Sequence, residues 1–260
     1  MRILDVLSAI LLLGLLFSVS PSASDEIPDA VGIWLFDDED DLGKDSSGNG
    51  QHGEIIQGAK SVEGKFGKGV RFNGTNECIE VPDSDILDID SDQVTMLCWF
   101  WWGGSGDAWQ TFVSKGPMSG TNENWAFFIN TGGTYTHFIV TPNGARTNVD
   151  SPGGAFEPEQ WHFVAGTYDG SKVSIYIDGE LVKEQAMSGN ITPNDSALRI
   201  GHREGSTHWW NGVLDEVAVF SRALSEGEIN DIMESGLADS LLSVEPEDKL
   251  STAWGYIKSR

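Results

Sequence analysis

Several aromatic side chains sit in stretches of small and polar residues. Trp109 follows Gly103-Gly-Ser-Gly-Asp107, Trp125 follows Asn122-Glu-Asn124, and His208-Trp209-Trp210 precedes Asn211-Gly212. A sugar ring has an apolar C–H face and a rim of hydroxyls, so the side chains that hold one are an aromatic platform with amide or carboxylate groups beside it. Trp109, Trp125, His208 and Trp209 are therefore the candidate ligand-binding residues, for a glycan or for an extracellular protein partner. Trp34, Trp99 and Trp161 lie in strand-like runs and are expected in the core, and Trp210 likewise.

The carboxylates offer less. Glycoside hydrolysis needs two of them about 5–10 Å apart, and the nearest array, Glu228-Ile-Asn-Asp-Ile-Met-Glu234, falls in a stretch of helical period with Asn at its middle position. The run Asp83, Asp85, Asp88, Asp90, Asp92 lacks the Gly and Glu of a calcium-binding helix–loop–helix motif, since Gln93 and Trp99 stand in their places. It reads as a polar connection between strands. The five histidines show no metalloprotease spacing, no nucleophile motif accompanies them, and no phosphate-binding loop is present. A noncatalytic binding module is expected, with a protein–protein adhesion module as the second reading and a glycoside hydrolase as the third. Asp215 stands out because it interrupts the apolar run Val213 to Phe220; simple alternation would set it on one face with Val213, Val217 and Val219, and a charge there must find partners or change its pKa.

With 16 basic and 40 acidic side chains, the 260-residue chain has a formal charge of −24, which disfavours nucleic acid as a partner. Residues 6–19 form a short apolar run behind Arg2 and ahead of small residues, the layout of a secretory signal peptide over residues 1–24; a membrane anchor would need about 20 apolar residues. The expected mature product is secreted or extracytoplasmic, with no membrane span. Two cysteines, Cys78 and Cys98, permit one disulfide in an exported chain if the strands around them pair. The alternative is two buried thiols.

The elements that must carry these groups are short runs rich in Val, Ile, Phe, Tyr and Trp, separated by Gly, Asn, Asp, Ser and Pro, the pattern of an antiparallel sandwich or barrel. Asp178-Gly179 between two such runs predicts a hairpin with a two-residue turn. Ser225 and Glu228 form a capping box ahead of Ile229, Ile232 and Met233, and Gly236 marks the end of a single helix.

The ordered set Gly32-Ile-Trp-Leu-Phe-Asp37, Asp45-Ser-Ser-Gly-Asn-Gly50, Gly67-Lys-Gly-Val-Arg-Phe-Asn-Gly74, Trp161-His-Phe-Val-Ala-Gly-Thr-Tyr-Asp-Gly170, Ile175-Tyr-Ile-Asp-Gly179 and Asn211-Gly-Val-Leu-Asp-Glu-Val217 resembles the laminin-G-like (LamG-like) jellyroll domains of the concanavalin A-like lectin/glucanase superfamily. That resemblance implies an all-β, two-sheet antiparallel jellyroll with one short C-terminal helix, spanning residues 25–236 ahead of a tail at 237–260. It also implies a glycan- or protein-binding role, often with calcium. Asp45 and Asp215, with Asp37 as a third, are carried over as candidate calcium ligands.

Overall fold

The computed structural model describes residues 27–242 except 119–122 and 133. The signal-peptide segment and most of the tail lie outside the described residues. The strands, in chain order, are β1 (Ala30–Trp34), β2 (Glu54–Ile56), β3 (Lys60–Glu63), β4 (Lys68–Asn73), β5 (Cys78–Val81), β6 (Val94–Trp102), β7 (Trp109–Lys115) and β8 (Trp125–Asn130). They continue as β9 (Tyr135–Val140), β10 (Thr147–Asp150), β11 (Trp161–Tyr168), β12 (Lys172–Ile177), β13 (Glu180–Ala186), β14 (Leu198–Ile200) and β15 (Asn211–Phe220), followed by helix α1 (Glu226–Leu237).

These form two antiparallel sheets, β13-β12-β11-β6-β15-β4-β3, with β1 also on β15, and β10-β9-β8-β7-β14-β5-β2. The expected jellyroll sandwich with a single short helix is what the chain forms. Alternation along each strand sends one set of side chains between the sheets. Trp34, Phe72, Phe100, Phe112, Trp125, Phe127, Phe138 and Trp210 fill that interior and are fully buried. At Asp178-Gly179 both residues have positive φ, 49° and 84°, which suits a two-residue hairpin whose twist matches its strands.

The outer face of the first sheet is covered. The Ser225 hydroxyl accepts from Glu228 N, whose carboxylate accepts from Ser225 N, so the capping box forms as expected. It directs Ile229, Ile232 and Leu237 onto Leu97, Trp99, Phe163 and Tyr176. At Gly236 the backbone leaves the helix with φ 81°. A further helical turn, Ala238–Leu242, follows at the start of the tail.

Long strand β15 changes partner along one edge, pairing with β4 through Leu214 and with β1 from Val217. A bulge at Glu216 and Val217, between the paired Asp215 and Ala218 and with Glu216 at φ 52°, makes the change. The extra residue reverses the alternation. Leu214, Val217 and Val219 point into the interior, while Ala218 and Phe220 face the helix, so Asp215 does not share a face with Val217 and Val219 as simple alternation predicts.

Asp215 lies in the gap between β4 and β1. Its Oδ2 accepts from Lys65 N at 2.7 Å and Phe66 N at 3.0 Å, and its Oδ1 from Glu216 N at 2.8 Å. The turn joining β3 to β4 is thereby pinned to β15. Gly64 permits this approach, since a Cβ there would lie 2.5 Å from Asp215 Oδ2.

The disulfide expectation is corrected. Cys78 and Cys98 are both free and buried, on strands of different sheets. Cys98 points into the interior, whereas Ile79 and Val81 take the inward positions of β5 and turn Cys78 the other way. Burial pushes Cys78 up to about 11 and Cys98 well above its ordinary value, so both are inert thiols.

Glu216 is buried and accepts from Leu237 N. Burial, reinforced by Asp37 and Asp239 against the Leu237 N–H, raises its carboxyl to about 7. Burial likewise takes Asp215 to about 8 against the pull of its N–H donors. Both groups hold protons in the folded chain that they release when unfolded, so their effect is a loss of stability as pH rises. The free energy of unfolding is expected to decline between about pH 5 and 8. Glu216→Gln should flatten that decline in urea titrations at several pH values while keeping the Leu237 contact; an unchanged slope would refute the assignment.

Candidate functional site

The outer face of the second sheet carries no helix among the described residues, and there the sandwich opens into a cavity of about 560 Å³ lined by Trp109, Met118, Phe128, His137, Arg146, Asn148, Arg203 and His208. The size is that of a small-ligand pocket. Its floor is built by cross-strand pairing. Phe128 of β8 lies opposite His137 of β9, which lies opposite Asp150 of β10, and outward alternation adds Asn148. Trp109, at the start of β7, stands edge-on to Phe128 and His137, with ring centroids 5.5 and 5.4 Å away. His208 reaches in from the loop before β15, its ring 6.4 Å from Trp109.

The charged wall comes from three loops. Glu123, fully buried, accepts from Arg146 Nε at 2.9 Å and Arg203 Nη2 at 2.5 Å through the same Oε2. The Arg203 guanidinium also lies 5.3 Å over the Phe128 ring, a cation–π contact. Burial pushes the Glu123 carboxyl up while the two guanidinium groups pull it down. Burial lowers His208, with Arg203 adding to the effect, and lowers His137 despite its Asp150 partner. Near neutral pH both imidazoles are thus uncharged, and the fixed charges of the wall are two guanidiniums and one carboxylate.

Of the candidate ligand residues, Trp109 and His208 are brought together here. Trp125 is not a rim residue: it opens β8 facing inward, fully buried between the sheets, and has no face to offer a ligand. Trp209 is half-buried outside the pocket lining, stacked on His202 at 3.5 Å and 8°, so one of its faces is already occupied. Phe128, His137, Arg146, Asn148, Arg203 and the buried Glu123 were not singled out in the sequence. Only Phe128 and His137 carried a signal, as outward positions of adjacent strands.

Of the candidate calcium ligands, Asp215 and Asp37 both reach the β3–β4 hairpin, and Asp45 serves the turn after β1. Asp45 Oδ1 accepts from Ile33 N at 3.0 Å and Ser47 N at 2.9 Å, and its Oδ2 from Ser47 Oγ and Gln51 N at 2.8 Å each. With two donors on each oxygen, Asp45 is an acceptor already satisfied by the protein. Asp215 serves the β3–β4 turn, and Asp37 Oδ1 accepts from Lys68 N at 2.8 Å. Asp45, with four donors, and Asp215, with three, have few lone pairs left for calcium, which takes six to eight oxygen ligands. Among the described residues, Asp83, Asp88 and Asp195 lie close enough to share a cation, but Lys115 supplies the positive charge. Fully buried, its Nζ lies 2.5 Å from Asp83, 3.0 Å from Asp88 and 2.7 Å from Ser196 O.

A family model described as the concanavalin A-like lectin/glucanases superfamily, of the laminin G type, matches residues 73–230. The chain belongs to that superfamily. No curated protein sequence matches this laminin-G-like chain. Its fold is similar to domain 4 of AbnA, a GH43 extracellular arabinanase from Geobacillus stearothermophilus solved in complex with arabinotriose, at TM-score 0.61 and 20% identity over 80% of this chain and 100% of that one. It is also similar to the binding domain of Paraclostridial Mosquitocidal Protein 1 (TM-score 0.64, 19% identity, 80% and 52% coverage) and to that of botulinum neurotoxin serotype G (0.63, 15%, 79% and 50%). The laminin-G-like chain spans about half the length of the two toxin domains. At these identities the likeness is one of fold. Among the described residues, no helix is long and apolar enough to cross a membrane.

The Glu123 bridge makes a stability prediction. Glu123→Ala removes the anion between two guanidiniums, one of them 2% exposed, and should cost about 3 kcal/mol in chemical denaturation; a loss below about 1 kcal/mol would show that the bridge does not hold the wall.

Proposed function

We propose that this laminin-G-like chain is a noncatalytic binding module of an exported protein and that the pocket on the outer face of its second sheet takes a sugar ring of a glycan. The observation that carries the reading is the pocket's composition. Trp109, Phe128 and two uncharged imidazoles supply aromatic surface, and Asn148, Arg146 and Arg203 supply hydrogen-bond donors in one cavity of about 560 Å³. An apolar platform beside a polar wall matches the two faces of a pyranose or furanose ring. The arabinotriose complex of the similar arabinanase domain supports a saccharide as the ligand.

The charges argue for binding without turnover. The pocket's buried carboxylate, Glu123, is held by two arginines. Asp107 accepts from Thr207 Oγ1 at 2.7 Å and Asp150 is paired with His137, so among the described residues no free pair of carboxylates faces the cavity. A second reading, a protein partner, is favoured by Met118, 44% exposed at the pocket, as its apolar contact.

A glycan array followed by calorimetry tests the choice. Trp109→Ala is expected to weaken saccharide binding at least tenfold with little change in melting temperature, and Trp209→Ala to leave it within about twofold. Binding should survive EDTA, since the pocket offers no calcium ligand set, and no reducing sugar should be released. Binding indifferent to Trp109, or turnover abolished by one carboxylate substitution, would overturn the proposal.

A further inference from the structure

The wall of the pocket carries more positive charge than its own carboxylate neutralises. In a chain of formal charge −24, Arg146 and Arg203 both line the cavity and share a single anion, Glu123 Oε2. Arg203 is 2% exposed, yet among the described residues its Nε donor has no hydrogen-bond partner; the acceptor Glu123 Oε1 and His208 Nδ1, whose role depends on the tautomer, have none either. Arg146 spends its Nε on Glu123, which leaves its terminal amino groups for a ligand; its side chain is 31% exposed. Buried donors left unmade are costly, and a guanidinium is shaped for two parallel bonds to a planar anion.

The remaining charged groups near the cavity, Asp107 and Asp150, are carboxylates outside its lining, each hydrogen-bonded to uncharged neighbours. Asp107 is held by Thr207 and by Ala108 N at 2.6 Å, and Asp150 by His137. They flank the floor, whereas the two arginines stand together on the wall with Arg203 over Phe128. A ligand that lays a ring on Trp109 and reaches the open amino groups of Arg146, beside Arg203, would match them best if it ended in a carboxylate.

From this geometry we infer that the pocket selects an acidic saccharide, a hexuronate residue whose carboxylate is taken by Arg146 and Arg203 while its ring lies against Trp109. The inference rests on the glycan reading above and adds the charge of the ligand. Arg146 supplies the exposed part of the anion grip, and Arg203, fixed by Glu123 and Phe128, the buried part.

Calorimetry with the full secreted chain would compare tri-galacturonate, its methyl ester and arabinotriose. The acid is expected to bind at least tenfold tighter than its ester in low salt, with the advantage shrinking as salt is raised. Arg146→Gln should bring the acid-to-ester ratio close to one, and Arg146→Lys should restore part of it. If Arg146→Gln proves unstable, the ester and salt comparisons on the native chain decide alone. Equal affinity for acid and ester, with Trp109→Ala still abolishing both, would overturn the acidic preference and leave the glycan reading standing. Absence of binding to all three saccharides and across a glycan array would remove both.

Discussion

The structure depends on buried carboxylates that accept backbone N–H groups. Asp45 ties β1 to the turn that follows it, Asp215 ties the β3–β4 turn to β15, and Glu216 ties β15 to the end of α1. A buried carboxyl group needs hydrogen-bond partners, and in each case the donors belong to a chain segment distant in sequence or sharply turned. The acids thus act as joints among the N-terminal strand, the edge hairpin and the C-terminal helix. The same fact explains why these aspartates do not fit as calcium ligands: their lone pairs point at N–H groups.

Closing the first sheet under α1 leaves the second sheet to face outward. Ile229, Ile232 and Leu237 cover Leu97, Trp99 and Phe163, removing that surface from contact. On the other sheet a small apolar patch, Ala126, Phe128 and Ile139 with Trp109 against it, lies outside the interior. Aromatic rings on a floor of that size, bounded by loops carrying Arg146, Arg203 and His208, make a recess rather than a flat interface. This asymmetry between the sheets is the reason the pocket lies where it does.

The candidate residues divide instructively. Trp109 and His208 flank short polar loops and do line the pocket. Trp125, next to a similar polar stretch, begins a strand at an inward position, so pairing opposite Lys115 and Val140 buries it. Trp209 and Trp210 are neighbours that point apart, one stacked on His202 and the other into the core. Loop composition alone does not distinguish these outcomes, because the first residue of a strand may face either way until its register is known. The cysteines fail for the same reason: both lie in strands, but on different sheets and facing opposite ways.

From the amino-acid sequence alone came the strand-and-turn alternation, the Asp178-Gly179 hairpin, the capped helix at Ser225 and the ordered motifs of the superfamily. Each is a local preference of a few consecutive residues, or a pattern of them in fixed order. Only the tertiary structure decided that Glu216 adopts positive φ and reverses the alternation of β15, that Lys115 sits between Asp83 and Asp88, and that Glu123, Arg146 and Arg203 meet beside Trp109. These depend on segments separated by 23 to 80 residues in the case of the charged wall, and no local periodicity reports where such distant loops come together.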